Sequence, residues 1–201
     1  MKIVLASASP RRAEILRNAG IPFEARVTLL DESRLPDELP SDYVRRLALE
    51  KARAATNFAT EAGDCLFIGT DTAVVAGGEL LGKPASEDDA RRMLRLLSGT
   101  FHEVHTGLAI IRRPDETEQV VEEITRVWFS PLMEEEIDRY VATGEPFDKA
   151  GAYAIQGIAG RYITRIEGCY FNVVGLPLAR LWGLLREFGW EDSPPVEPAP
   201  K

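Results

Sequence analysis

Apolar positions along the chain switch between two periods, and each switch marks a new element. The first run, KIVLA at residues 2–6, is nearly continuous and predicts a fully buried strand. Residues 10–18 follow helical spacing, with Pro10 suited to the first helical position and Gly20 to the end of the helix. FEARV at 23–27 predicts a short second strand, and the proline-punctuated TLLDESRLPDELP a polar loop. From Ser41 or Asp42, either of which can cap it, a long helix is expected to about Ala59. Its stripe carries Val44, Leu47, Ala48, Ala55 and Phe58, and Lys51 falls on the same side.

CLFIGTDTAVVAGGELLGKP reads as two strand segments turning at Gly77-Gly78, followed by a capped helix, SEDDARRMLRLLSG, that ends at Gly99. Two long strands are expected at roughly 102–112 and 119–129, then an amphipathic helix at 132–143 stopped by Gly144 and Pro146. PFDKAGAYAIQGIAG is glycine-rich and irregular, YITRI reads as a strand, EGCYFN as turn-like, and Pro177 to Phe188 as a last helix. The tail at 191–201, EDSPPVEPAPK, is proline-rich and charged, and is expected to be disordered. The alternation of strands and helices, with antiparallel pairs inserted, gives an α/β class with a mixed, twisted sheet flanked by helices. Residues 1–190 form one domain, with no internal repeat.

Composition narrows the partners. With 201 residues and 45% hydrophobic content the chain can bury a substantial core, as one domain or two closely joined lobes. The net charge of -8 argues against nucleic acid or an anionic membrane as partner, so any anion must be bound in a local pocket. Cys65 and Cys169 lie far apart without a CxxC spacing, which indicates neither zinc nor a disulfide framework and suggests a reducing compartment. No apolar run reaches the length of a signal peptide core or a membrane span, so a cytoplasmic location is expected.

Candidate chemistry begins with SASPRR at residues 7–12. Ser9 is a natural N-cap, and Arg11 and Arg12 stand in the first turn, where the helix dipole disfavours cations. Either both are solvated surface residues, or a phosphate lies between them at the helix N-terminus. Lys51, on an apolar stripe, must snorkel outward, pair with a carboxylate or meet a buried anion. Lys83 in LGKP is a third cation at an element end. Asp71, in GTDTAVV, sits among strand formers where aspartate is disfavoured. It is either an Asx-turn residue or, at a strand end, a carboxylate that binds magnesium or takes a proton from attacking water. Asp31 and Glu32 are candidate oxygen ligands in the loop after the second strand. His102 and His105 in HEVH alternate to opposite strand faces, which argues against a zinc site. GxSxG, Walker and GxGxxG patterns are absent from the sequence, leaving acyl transfer, P-loop chemistry and dinucleotide binding without support.

SASPRR, EKA around Lys51, GTDT, LGKP, SGTFHEVHTG, DKAGAYAIQG and GCYFNVVGLPL occur in this order and together resemble the Maf family over nearly the whole chain. The resemblance implies a Maf/ITPase-like fold, elongated with a cleft between two lobes. It implies a nucleoside triphosphate pyrophosphatase that releases a nucleoside monophosphate and pyrophosphate with a divalent cation, magnesium or manganese. It places the catalytic aspartate at Asp71 and the phosphate-handling residues at Arg11, Arg12, Lys51 and Lys83, with Ser9 in the first loop. Asp71 and Glu32 are the candidate metal ligands, and a homodimer is implied at family level. Arg12, Thr72 and Gln156 match the branch acting on dTTP and UTP rather than the one acting on 7-methyl-GTP. The TRVWFSPL stretch and Phe171 depart from the familiar pattern. Two alternatives stay open: a nucleotide-sensing module in division arrest, and a pyrophosphatase for damaged purine nucleotides such as dITP.

Overall fold

The computed structural model describes residues 1–57 and 63–191. The expected helix end at Phe58 and Ala59 and the tail from residue 192 lie outside the described residues. Seven strands form one mixed sheet: β1 (Lys2–Ala6), β2 (Glu24–Arg26), β3 (Cys65–Ala76), β4 (Glu79–Leu81), β5 (Phe101–Arg113), β6 (Glu118–Phe129) and β7 (Ile163–Glu167). The spatial order is β2-β1-β3-β5-β6-β7, with β4 paired to β3. β1 is parallel to both its neighbours, and the other pairings are antiparallel. Gly77 and Gly78 both take positive φ, 57° and 83°, the combination a two-residue hairpin turn of matching twist requires.

Among the described residues six α-helices flank the sheet: α1 (Pro10–Asn18), α2 (Pro40–Thr56), α3 (Glu87–Leu97), α4 (Glu134–Val141), α5 (Tyr170–Val174) and α6 (Leu178–Glu187). α2 covers one face over Val4, Ala6, Phe67, Ala109 and Ile111. It lies unusually close because its track crosses two glycines. A Cβ on Gly69 would stand 2.0 Å from the Ala48 carbonyl oxygen, and one on Gly107 2.1 Å from that of Val44. The opposite face carries two separate apolar clusters. In one, α1 and α6 pack on Ile3, Leu5, Ile68, Leu108 and Ile110; in the other, α3 and α4 pack with Val74, Val104, Phe129 and Tyr153. Ile155 touches both clusters.

Several details differ from the sequence reading. α2 starts at Pro40 with Leu39 as an N-cap that makes no side-chain bond, because proline fits the first helical position and opens the helix ahead of Ser41 and Asp42. GCYFN is not only a turn: residues 170–174 form α5, too short to show helical periodicity in sequence. DKAGAYAIQGIAG is carried by three short 3₁₀ turns, Glu145–Asp148, Ala150–Ala152 and Ile158–Tyr162. Most consequential, β3 runs unbroken through Asp71, which is neither at a strand end nor in an Asx-turn.

Candidate active site

β1 ends opposite Gly69, and β4 joins the same edge of β3 only at Val74. Residues 70–73 therefore lack a strand neighbour on that side, and a cleft of about 580 Å³ opens across this gap. It is lined by nine of the residues singled out from the sequence: Ser9, Arg11, Arg12, Glu32, Lys51, Asp71, Thr72, Lys83 and Gln156. Strand alternation turns Asp71 and Thr72 to opposite faces of the sheet, so the cleft has two chemically different halves.

On the α2 side, Lys51 neither snorkels nor stands alone. Its Nζ lies 2.6 Å from Asp71 Oδ1 and 2.6 Å from Glu32 Oε1, two carboxylates converging on one cation. Lys51 and Asp71 are each only 8% exposed. Burial raises the Asp71 pKa above the ordinary aspartate value, opposed by the charges of Lys51 and Arg12. Burial also pushes Glu32 upward, but the Lys51 hydrogen bond, with Lys51, Lys83 and Arg12 charges, outweighs it and holds Glu32 below the usual range. The loop bearing Glu32 is tied to α2 by two side chains. Tyr43 Oη donates to the Glu32 carbonyl at 3.0 Å, and Arg46 donates to the Ser33 carbonyl and to the Glu38 carboxylate. Burial, with the charges of Asp71 and Glu32, pushes the Tyr43 phenol up to about 12. Asp31 accepts from Ser33 N–H and Oγ and is not among the residues lining the cleft, so it is not brought to the site.

On the Thr72 side the two adjacent arginines divide their work. Ser9 caps α1 as expected, accepting from Arg12 N–H. Arg12 turns inward: Nε donates to the Gly175 carbonyl (2.8 Å), Nη1 to the Thr70 carbonyl (2.9 Å) and Ser7 Oγ (3.2 Å), and Nη2 to Thr72 Oγ1 (3.1 Å). The bond to Thr70 satisfies a carbonyl on the open strand edge. Burial lowers the Arg12 pKa, although a guanidinium keeps its proton. Arg11 stays at the cleft wall in a 3.3 Å pair with exposed Asp148. Two phosphate-facing arginines in one turn were expected. Consecutive helical residues point about 100° apart, so one is built into the protein while the other pairs with Asp148 at the cleft wall.

Lys83 lines the cleft after β4 and makes no hydrogen bond or ion pair among the described residues. Gln156 is exposed at the cleft wall, on a turn underpinned by Glu145, whose carboxylate accepts from Ile158 N–H (3.1 Å) and Tyr140 Oη (2.9 Å). Apolar Val74, Val104, Tyr153, Ile155 and Val174 wall this half. The sequence reading missed Tyr43 and Lys149 as lining residues. Tyr43 stands four and eight residues before Leu47 and Lys51, a helical spacing that marked the stripe but not a polar role. The two histidines occupy opposite faces: His102 Nε2 meets Tyr153 Oη at 2.7 Å, while His105 Nδ1 meets Glu122 at 2.6 Å. Burial drops the His102 pKa to about 3, so it is a neutral core residue.

The family profile described as Maf-like protein matches residues 2–188. A protein of Hahella chejuensis named dTTP/UTP pyrophosphatase is 49% identical over 194 residues, covering 95% of this chain and 96% of that one. One of Geobacter sulfurreducens with the same name is 51% identical over 188 residues, covering 94% and 97%. Among solved structures, the Staphylococcus aureus Ham1 protein superposes with a TM-score of 0.50 at 13% identity, covering 93% of this chain and 99% of that one. That likeness concerns the fold alone. No helix among the described residues is long and apolar enough to cross a membrane.

Proposed function

The chain belongs to the Maf family, and we propose that it hydrolyses dTTP and UTP between the α and β phosphates, releasing the nucleoside monophosphate and pyrophosphate. The observation that carries this reading is the division of the cleft. One half holds Lys51 between two carboxylates, with Lys83 nearby; the other offers apolar walls, Thr72 and Gln156 to a flat ring. A nucleotide laid across the open edge of β3 puts its phosphates beside the cations and its base against the walls.

In this reading Asp71 accepts a proton from the attacking water as oxygen bonds to the α phosphorus. The anhydride bond to the β phosphate breaks, and pyrophosphate leaves toward Lys83 and Arg11. Lys51 keeps Asp71 ionised despite its burial, and Arg12 fixes the strand edge on which Asp71 sits. Among the described residues no group of three or more His, Cys, Asp or Glu is gathered to hold a metal. Two carboxylates that converge on one cation nevertheless suit magnesium, which takes one or two carboxylates and completes its shell with water and substrate phosphates. Asp71 and Glu32 would hold it. Bound there, magnesium or manganese would neutralise phosphate charge and polarise the reacting phosphoryl group.

Chromatography of UTP and dTTP reactions tests the proposal. Nucleoside monophosphate and pyrophosphate are expected with magnesium, and none in excess chelator; nucleoside diphosphate and orthophosphate would overturn the reading. Nucleotide retained without turnover would favour a sensing role.

Base recognition gives a further prediction. The Gln156 amide carries a donor and an acceptor, which complement the imide edge of uracil or thymine. Gln156→Glu removes the donors while keeping the shape. It is expected to lower kcat/KM for UTP and dTTP at least about tenfold with the melting temperature unchanged. Unchanged selectivity among UTP, dTTP and CTP would place base reading elsewhere.

A further inference from the structure

Hydrogen bonds behind the cleft fix the direction in which one hydroxyl points. Arg12 Nη2 donates to Thr72 Oγ1 at 3.1 Å, the Thr72 and Thr106 Oγ1 atoms are 3.0 Å apart, and Thr106 Oγ1 donates to the Asn172 carbonyl at 3.2 Å. A guanidinium has no acceptor and a carbonyl has no donor, so both ends of this chain are chemically determined. Thr106 has one hydroxyl proton, and it goes to Asn172. The Thr72 proton must then go to Thr106. With one lone pair taken by Arg12, Thr72 keeps only a second lone pair to show to the cleft that it lines. Thr106 and Asn172 are fully buried at 0% exposure, so bulk water does not compete for these bonds.

We infer that Thr106 is a specificity-determining positioning residue: by taking the Thr72 proton it makes Thr72 an acceptor only, which favours the imide N–H of uracil and thymine over the bare ring nitrogen of cytosine. The inference rests on the proposed pyrimidine substrate. It follows from where the ring would sit, because Thr72 shares its half of the cleft with Val74, Tyr153, Ile155 and Val174, while Asp71, Lys51 and Glu32 occupy the other. Gln156 can rotate its amide to suit either edge. A hydroxyl held at both ends cannot, so Thr72 enforces a choice that Gln156 alone leaves partly open.

The structure also supplies a clean variant. The Asn172 carbonyl additionally accepts from Gly175 N–H at 3.0 Å, so removing the Thr106 hydroxyl leaves it paired. In Thr106→Val, Arg12 still donates to Thr72 and the released Thr72 proton turns toward the cleft, where it offers a donor to cytosine. Measuring kcat/KM for UTP and CTP in wild type, Thr106→Val and Thr106→Ser tests this. The UTP-to-CTP ratio is expected to fall about tenfold or more in the valine variant and to be retained in the serine variant. If the valine variant does not fold, Thr106→Ala carries the same comparison. A merely structural role would lower both substrates together and leave the ratio in place, which would overturn the inference, as would an equal fall in Thr106→Ser. Wild type that releases pyrophosphate from UTP and CTP alike would overturn it while leaving the reaction class intact. Wild type that turns over no nucleoside triphosphate would overturn the proposed function itself, and this inference with it.

Discussion

Asp71→Asn is expected to cut UTP and dTTP turnover by about three orders of magnitude while nucleotide still binds, the range in which loss of a positioned general base falls. The substitution keeps the shape and an oxygen acceptor for the Lys51 ammonium, so neighbouring groups have little reason to move. It removes the proton acceptor and one of the two carboxylates converging on Lys51. In the proposed reading binding relies mainly on the cations and on the apolar half of the cleft, neither of which changes. The loss should therefore appear in kcat far more than in KM, with calorimetric affinity for UTP in chelator preserved. Turnover within tenfold of wild type would remove Asp71 from the chemistry and return it to a structural role as the partner of Lys51.

The contrast between Asp71 and Gln156 shows what the sequence made legible. Asp71 could be singled out because an aspartate within a run of strand formers contradicts local propensity, and such contradictions gather at functional sites. What propensity favoured, a turn or a strand end, was wrong: the strand continues, stabilised by pairing with β5 at eleven positions from Cys65 to Val75, Asp71 among them. Lys51 was legible for the same reason, as a charge on an apolar stripe. The helical period placed it on the buried face but said nothing of which carboxylates would meet it. Gln156 carries no such contradiction, and only the resemblance to known sequences brought it forward. Thr106 and Asn172 were invisible, because a threonine in a strand obeys its propensity and its role depends on contacts 34 and 66 residues away. The different fates of Arg11 and Arg12 were equally hidden, since the carbonyls of Thr70 and Gly175 that capture Arg12 lie 58 and 163 residues away and are brought to it only by the assembled fold.

Lys51→Met is the second large loss expected, about a hundredfold in kcat/KM, the scale seen when one preorganised charge is removed from a reacting site. Methionine fills the buried stripe of α2 and keeps the helix packed against Gly69 and Gly107, but it strips the shared cation from Asp71 and Glu32. Burial already raises the Asp71 pKa, and the Lys51 charge is the largest influence opposing it, so in the variant that pKa rises further. Stability then acquires a distinctive pH dependence in the metal-free protein. A carboxylate whose folded pKa lies above its unfolded value binds its proton more tightly when folded. Its contribution to stability is fully present below the unfolded value and is lost as pH rises through the folded one. The melting temperature of Lys51→Met in chelator is thus expected to fall short of wild type at neutral pH and to recover toward it as pH drops to the ordinary aspartate range. The acid limb of kcat/KM should move to higher pH in the same variant, since protonated Asp71 can neither take a proton nor hold a cation. A melting deficit independent of pH would mean that Lys51 supports the fold by packing alone, and that Asp71 does not depend on it for its charge.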